Sequence, residues 1–530
     1  MRAELQETTV WQLVQAPSVA MDMDQLSYGS LCGMALATAL LWLILRHALG
    51  GKKDTGGAKA KLPPGPWNLP VIGSLHHLVG TKLQPHRALL QLSRRHGPLM
   101  LLRLGEVPNV IVSSPEAAME VLKTNDLAFA TRPCGPTMDI VSCGGKGLLA
   151  PYGEHWRQMR KACVTEVLSA RQVRRIESIQ QGEAARLVES VSAAAAARAV
   201  VDVGKGLAEL AGNIIATAVF GGRFPQQEAH LREMDALSVL VGGFSLVDLF
   251  PSSRLVRWLS SSTREVRRSH ARVQRILDDI IQERKEKKPA SSATRDSEDL
   301  LDVLLRLQRE DTLAFPLTSE SIGCVISDII GAATETTSST LEWAMAELIR
   351  NPEAMARAQH EVRQRRHRDG VVITSADLGE LHYLRMVIKE TLRLHPAGMF
   401  HRASQEDSRV MGYHIPKGTS VVINSFAVGT DPAHWGEDAA EFRPERFHDK
   451  DMVEYMQMES VPFGAGRRQC PGALFATTTM ELVLANLLYH FDWAVPGGET
   501  LDMGEAYGFI VHTRSSLRLQ ASSYHPHLQE

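Results

Sequence analysis

Cys470 stands in the run Pro462-Phe463-Gly464-Ala465-Gly466-Arg467-Arg468-Gln469-Cys470-Pro471-Gly472, directly before an apolar segment from Ala473 to Trp493. No second cysteine lies within four residues, which disfavours a zinc knuckle or an iron–sulfur cluster. What the spacing leaves is a lone thiol in a cationic loop at a helix start. Arg467, Arg468 and the helix N-terminus favour its ionised form. The glycines let backbone approach something bulky and flat. A buried structural thiol is the other reading of an isolated cysteine.

Two further groups of residues could do chemistry. Glu335, Thr336 and Thr337 form an acid followed by two hydroxyls inside an apolar helical stretch, where a carboxyl is costly without a partner. A carboxyl and hydroxyl so placed can pass protons through ordered water. Glu390 and Arg393 are spaced to pair on one helix face. Read alone, these groups are a structural polar turn and a surface ion pair.

The elements that must position these residues are mostly helices. Periodic segments run over Arg171–Ser192, Thr263–Lys287, Ser319–Ile349, Pro352–Arg366 and Leu381–Leu394. Short strand-like runs occur at Met100–Leu104, Val110–Val112 and Thr419–Ile423. The alanine run Ala193–Ala197 reads as helix propensity. Lys285–Asp299, rich in charge and serine, reads as an exposed connector. The fold class is therefore mainly α with small sheets. At 530 residues the chain can bury a large core, and its net charge of -2 gives no sign of nucleic acid as a partner. The six cysteines are scattered without a close pair, which predicts reduced thiols rather than a disulfide framework.

Leu26 to Leu45 is a stretch of 20 residues without charge, enough to span a bilayer as one helix. Acidic residues precede it, and Arg46, Lys52, Lys53, Lys59 and Lys61 follow, which places the body in the cytosol. The expected organisation is a leader over 1–25, an anchor over 26–45, a basic linker and proline-rich hinge over 46–69, and a catalytic domain over 70–530. Met21 or Met23 is the expected native start. Leu62-Pro63-Pro64-Gly65-Pro66 reads as a stiff, non-helical spacer.

The spacing of Phe463, Gly466, Arg468, Cys470 and Gly472 resembles the haem-ligand motif of the cytochrome P450 family. The resemblance extends over nearly the whole chain after the anchor and implies the cytochrome P450 fold. It implies haem b ligated by the Cys470 thiolate, Arg468 on a haem propionate and Phe463 shielding the sulfur. Trp156 and Arg160 resemble the family's WxxxR helix, with Arg402 as a further propionate contact. His401 is the weaker alternative there, and Arg132 a third candidate. Ala332 through Thr337 resembles the oxygen-activation motif, which gives Glu335 and Thr336 the proton relay; Ala333 stands where the family has glycine. Glu390, Arg393 and Arg446 resemble the buried structural triad.

The same resemblance implies a single-pass endoplasmic reticulum protein that takes NADPH electrons through cytochrome P450 reductase, with cytochrome b5 as a further partner. The reductase would dock on a basic surface around Arg157, Lys161 and Arg467. Met138–Val141, Val239–Phe250, Ile329–Ala333, Ala397–Phe400 and Gly508–Val511 are apolar and match the family's substrate-contact regions, with 244–250 also reaching the membrane surface. Leu341-Glu342-Trp343 and the run from Asp502 to Gly508 look like the plant A-type microsomal branch. The expected substrate is lipophilic, with a terpenoid (a diterpenoid, for example) preferred over phenolics and alkaloids. A reductase-independent haem-thiolate isomerase or dehydratase, and a non-catalytic haem protein, are the competing readings.

Overall fold

The computed structural model describes residues 38, 61–167, 170–242, 245–287, 298–311, 313, 315–364, 373–448, 462–498 and 500–524. The expected leader and the anchor over 26–45 lie outside the described residues, except for helical Thr38. The chain divides into two units: Met1–Lys59 with Asn68–Val71, and Ala60–Trp67 with Ile72–Glu530. Everything below belongs to the second.

Its helices include α1 (Pro85–His96), α2 (Pro136–Val141), α3 (Glu154–Ala162), α4 (Ala170–Ala196), α5 (Val203–Phe220), α6 (Gln227–Gly242), α7 (Ser262–Glu286), α8 (Ser319–Arg350), α9 (His382–Leu394) and α10 (Ala473–His490). The periodic segments predicted from sequence coincide with α4, α7, α8 and α9 to within a few residues. α8 begins where the Thr318 hydroxyl accepts the Ser321 N–H at 3.1 Å, a helix cap. Its 32 residues then run through the middle of the largest apolar cluster, against α5, α7, α9 and α10.

α5 was not foreseen, because its apolar residues show no clear face. Among the described residues it is the one helix long and apolar enough to cross a membrane by length and composition. It is 67% buried within the protein, which makes it a core helix.

The strands are β1 (Leu99–Leu104), β2 (Val107–Val112), β3 (Val200–Asp202), β4 (Phe400–Ala403), β5 (Ser408–Val410), β6 (Tyr413–Ile415), β7 (Ser420–Ile423), β8 (Phe491–Ala494), β9 (Glu505–Tyr507), β10 (Val511–Thr513) and β11 (Arg518–Ser523). The largest sheet has the order β1-β2-β7-β4, with β2 and β7 parallel. Its register sets Arg402 of β4 opposite Val421 of β7. The proline-rich segment is non-helical as expected, and it lies along this sheet: the Leu101 N–H donates to the Pro64 carbonyl at 2.8 Å.

Two expectations need correction. Residues 288–297 of the expected connector lie outside the described residues, but its ends are ordered. α7 continues through Glu286, and Asp299 is buried, capping the helix Leu300–Glu310 and pairing with Arg284 at 2.7 Å. Nor are all the cysteines reduced, since Cys143 and Cys324 form a disulfide across a sequence separation of 181. Folding brings the residues after α2 onto α8; no spacing in the chain announces that meeting.

Candidate active site

The Cys470 loop is a tight return. The Cys470 N–H donates to the Phe463 carbonyl at 2.8 Å, and Gly464 and Gly466 take φ values of 70° and 68°. Those angles favour glycine. At Gly466 a side chain would also collide with the Leu122 carbonyl and the Asp126 carboxyl. Asp126 clips the loop down, accepting the Arg467 N–H at 3.0 Å and its guanidinium at 2.5 Å. Gly472 then opens α10.

Burial pushes the Cys470 thiol up, while the Gly472 N–H and Arg160 pull it back. Cys470 itself is a free, exposed cysteine. The cation beside the sulfur is Arg160, not the expected Arg467 or Arg468. Arg160 also donates to the Gln469 carbonyl at 2.5 Å.

Arg132, Arg160, Arg402 and Arg468 converge near this loop. Arg468 donates to the Ala130 and Ala150 carbonyls at 2.7 Å each, and its guanidinium lies 3.9 Å from the Trp156 ring. Trp156 spends its own N–H on the Leu148 carbonyl at 3.0 Å, so in this arrangement it is a platform for Arg468. Burial first, then repulsion from Arg132, lowers Arg402 to about 9 and Arg468 to about 8. Guanidinium groups remain protonated in proteins. The downward pull reflects first the burial of these charges and then their mutual repulsion, and a bound anion would relieve both.

Arg132 Nε is buried without a hydrogen-bond partner. His401, expected as a weaker alternative, is held down to about 4 by burial and by Arg132 and Arg402, so it stays neutral. These cationic donors fit a group that carries carboxylates and sits beside the Cys470 sulfur.

The second group of candidate residues lies on α8. Thr336 donates its hydroxyl to the Ala332 carbonyl at 2.7 Å, and Ala332 itself is exposed. Thr334, Ser338 and Thr340 make the same four-residue back-bond, to Ile330, Thr334 and Thr336. Burial raises Glu335 to about 8, assisted by Asp235 of α6, while the Ser238 hydroxyl donates to its Oε2 at 2.9 Å.

Glu390, Arg393 and Arg446 meet as expected and are not a surface pair. Arg393 reaches Glu390 at 2.7 and 2.8 Å, and Arg446 reaches the same carboxyl at 2.9 Å. The spare Arg393 donors go to the Gly429, Ala439 and Glu441 carbonyls.

Residues 63–517 match the family model described as Cytochrome P450. The chain belongs to the cytochrome P450 family. It is 44% identical over 498 residues to an ent-isokaurene C2/C3-hydroxylase of Oryza sativa subsp. japonica, covering 91% of this chain and 95% of that one. It is 43% identical to a desmethyl-deoxy-podophyllotoxin synthase of Sinopodophyllum hexandrum, covering 93% and 96%. A solved zebrafish cytochrome P450, a structure with progesterone, superposes with a TM-score of 0.72 at 25% identity, covering 84% of this chain and all of that one. The chain is thus a monooxygenase, and haem held by a thiolate is the cofactor its family implies.

In this cytochrome P450 three of the apolar segments read as substrate contacts come together. The Val511 N–H donates to the Ala397 carbonyl at 2.9 Å, and Gly242 at the end of α6 abuts Gly508 and Phe509. Val239, on the same helix, is 58% exposed.

Sequence reasoning missed how firmly the segment around α2 is moored. The Asp248 carboxylate accepts the Thr137 N–H at 3.1 Å and its hydroxyl. Asp328 of α8, pushed up to about 7 by burial, accepts the Leu148 and Leu149 N–H groups at 2.6 and 3.2 Å. Lone carboxyls at these positions carry no local signal. Of the expected reductase surface, Arg157 pairs with Glu154 and Arg467 with Asp126, while Lys161 is exposed.

Proposed function

We propose that this protein is a membrane-anchored haem-thiolate monooxygenase that hydroxylates a terpenoid, with Cys470 as the proximal ligand. Haem bound there would supply the dioxygen-activating iron. Arg132, Arg402 and Arg468 would neutralise its two propionates, Trp156 would hold Arg468 flat, and Phe463 would screen the sulfur. Arg160 would steady the thiolate from beside the loop. Glu335 and Thr336 would move protons from water toward the dioxygen being reduced.

The observation that carries this reading is the ring of buried, mutually repelling arginines beside an accessible cysteine. Nothing in a reductase-independent isomerase requires the carboxyl and hydroxyl that α8 presents. Electrons would come from NADPH through a cytochrome P450 reductase, with cytochrome b5 as a second donor, docking by Lys161 and its neighbours.

Terpenoid substrates are favoured by the apolar character of Val239, Ala397 and Val511. They are also favoured by relatives named 5-epiaristolochene 1,3-dihydroxylase (Nicotiana tabacum, 40% identical) and germacrene A hydroxylase (Barnadesia spinosa, 40% identical). The podophyllotoxin-synthase relative, at 43%, shows that identity at this level does not by itself fix a substrate. A membrane position on the endoplasmic reticulum, facing the cytosol, is supported by the uncharged stretch Leu26–Leu45. Trp258 and Leu259, 75% and 67% exposed, add a second apolar surface. Microsomes co-expressing a plant reductase, offered panels of terpenoids, phenolics and alkaloids, test the reading. Oxygenation confined to the phenolic or alkaloid panel would remove the terpenoid assignment.

A further inference from the structure

The stretch from α2 to α3 is held at several points. At its start the Asp248 carboxylate accepts the Thr137 N–H and hydroxyl, and further on Asp328 of α8 accepts the Leu148 and Leu149 N–H groups. Between these moorings the Cys143–Cys324 disulfide fastens the stretch to α8 covalently.

The surroundings of this disulfide suit more than a passive staple. Cys143 takes a φ of 53°, a left-handed conformation that a side chain opposes, and Gly144 and Gly145 follow at 64° and 87°. These residues form a hinge whose first member the crosslink holds. Gly144 is exposed, with open space where a side chain would lie. Cys143 beside it is 9% exposed and Cys324 only 1%, so an attacking thiol meets Cys143 first. His270 Nε2 of α7 lies 3.5 Å from the Cys143 sulfur, and Gln274 Nε2 lies 3.9 Å from it. The oxygen of that same amide, Gln274 Oε1, is buried without a hydrogen-bond partner. A disulfide has no proton to offer it, whereas a thiol has. The polar groups around the bridge are therefore satisfied better by the reduced cysteine. Met138, Ser142, Gly144 and Leu149 also line a cavity of about 70 Å³ with Arg132, one of the arginines that converge near the Cys470 loop.

We propose that Cys143 and Cys324 are a thiol–disulfide exchange site, at which a dithiol reductant unlocks residues 138–147 from α8 and loosens the wall they form beside Arg132. Disulfides that face a reducing compartment are usually transient or redox-sensing, and the cytosolic orientation proposed above supplies that setting. A reductant thiolate attacks the Cys143 sulfur, the S–S bond breaks, and Cys324 leaves as a thiolate. The second thiolate of the reductant attacks its own sulfur in the mixed disulfide and releases Cys143. The dithiol ends as a disulfide, and its two protons pass to Cys143 and Cys324. The Cys143 S–H then faces the Gln274 amide. Any bearing on substrate rests on reading Met138–Val141 as a substrate contact; release of the stretch does not.

The test equilibrates the full-length, haem-loaded protein in mixtures of oxidised and reduced dithiothreitol, then traps free thiols with a maleimide. Peptide mass spectrometry should find Cys143 joined to Cys324 at the oxidising end and both alkylated at the reducing end. Backbone amide exchange over 138–147 should speed by about tenfold or more on reduction, in line with the loss of one crosslink, while α9 stays unchanged. Binding of phenylimidazole, followed by the haem Soret band, should quicken in parallel. Cys324→Ser should show the fast exchange and fast binding at every mixture.

A crosslink that never forms at the oxidising end would overturn the proposal. So would a crosslink that forms and leaves exchange over 138–147 unaltered. Both outcomes are read on the wild type alone, so they hold even if Cys324→Ser does not fold. Faster exchange with unchanged phenylimidazole binding would keep the exchange site and overturn Met138–Val141 as a substrate contact.

Discussion

Arg393 and Arg402 are both almost completely buried, at 0% and 3% exposure, yet their surroundings are opposites. Arg393 has a carboxylate on two of its nitrogens and backbone carbonyls on the rest, and every partner comes from this chain. Arg402 has one backbone carbonyl, at 3.0 Å, with Arg132 and Arg160 around it and only Asp126 as a countercharge. A closed network of charges belongs to the fold. An open one, with like charges facing each other, belongs to something the fold is built to receive.

The largest effect that would sharpen this contrast lies at Cys470. Cys470→Ala should abolish the carbon monoxide difference band of thiolate-ligated haem while leaving the apoprotein folded by circular dichroism. A surviving band would break the assignment. Next comes the closed network: Glu390→Gln or Arg393→Ala should cost about 3–5 kcal/mol of folding stability, because the remaining charge is stranded. Denaturant melts of the apoprotein read that loss directly.

Arg402→Met should behave in the opposite way. It should leave the haem-free protein as stable or more so, yet weaken haem retention by about 1.5–3 kcal/mol, the usual range for a charge-assisted hydrogen bond. Equal destabilisation of apoprotein and holoprotein would erase the distinction. Thr336→Ala should keep haem and fold while product per NADPH falls about tenfold or more and peroxide rises.

The smallest effect concerns a closed network at the edge of the fold. Burial opposes ionisation of Glu505, but hydrogen bonds from Arg87 and His86 hold it down to about 2. A depressed carboxyl stabilises the fold above its ordinary value. That contribution should therefore fade as pH drops from about 4.5 toward 2, and Glu505→Gln should flatten this part of the melting curve.

What could be read from the chain alone follows from how far its signals reach. The Cys470 loop, the Glu390–Arg393 spacing and the helical course of α8 are local patterns, and each lies where it was expected. Arg132 was ranked last among the propionate candidates and sits among the other three, because its weight comes from neighbours at 160 and 402. The same is true of Cys143 with Cys324. Such pairs are created by packing, and neither member carries a local mark.

The hydroxyl row on α8 has its own consequence for Ala333, where the family's glycine is missing. Thr334, Thr336, Ser338 and Thr340 each satisfy the carbonyl four residues back, so that stretch carries a second ladder beside the backbone one. Side-chain bonds of this kind bend helices and let backbone rungs lengthen. The helix can yield to a small guest at Ala332 without leaving an oxygen unsatisfied. Suppleness that glycine would give through missing bulk is supplied here by spare donors.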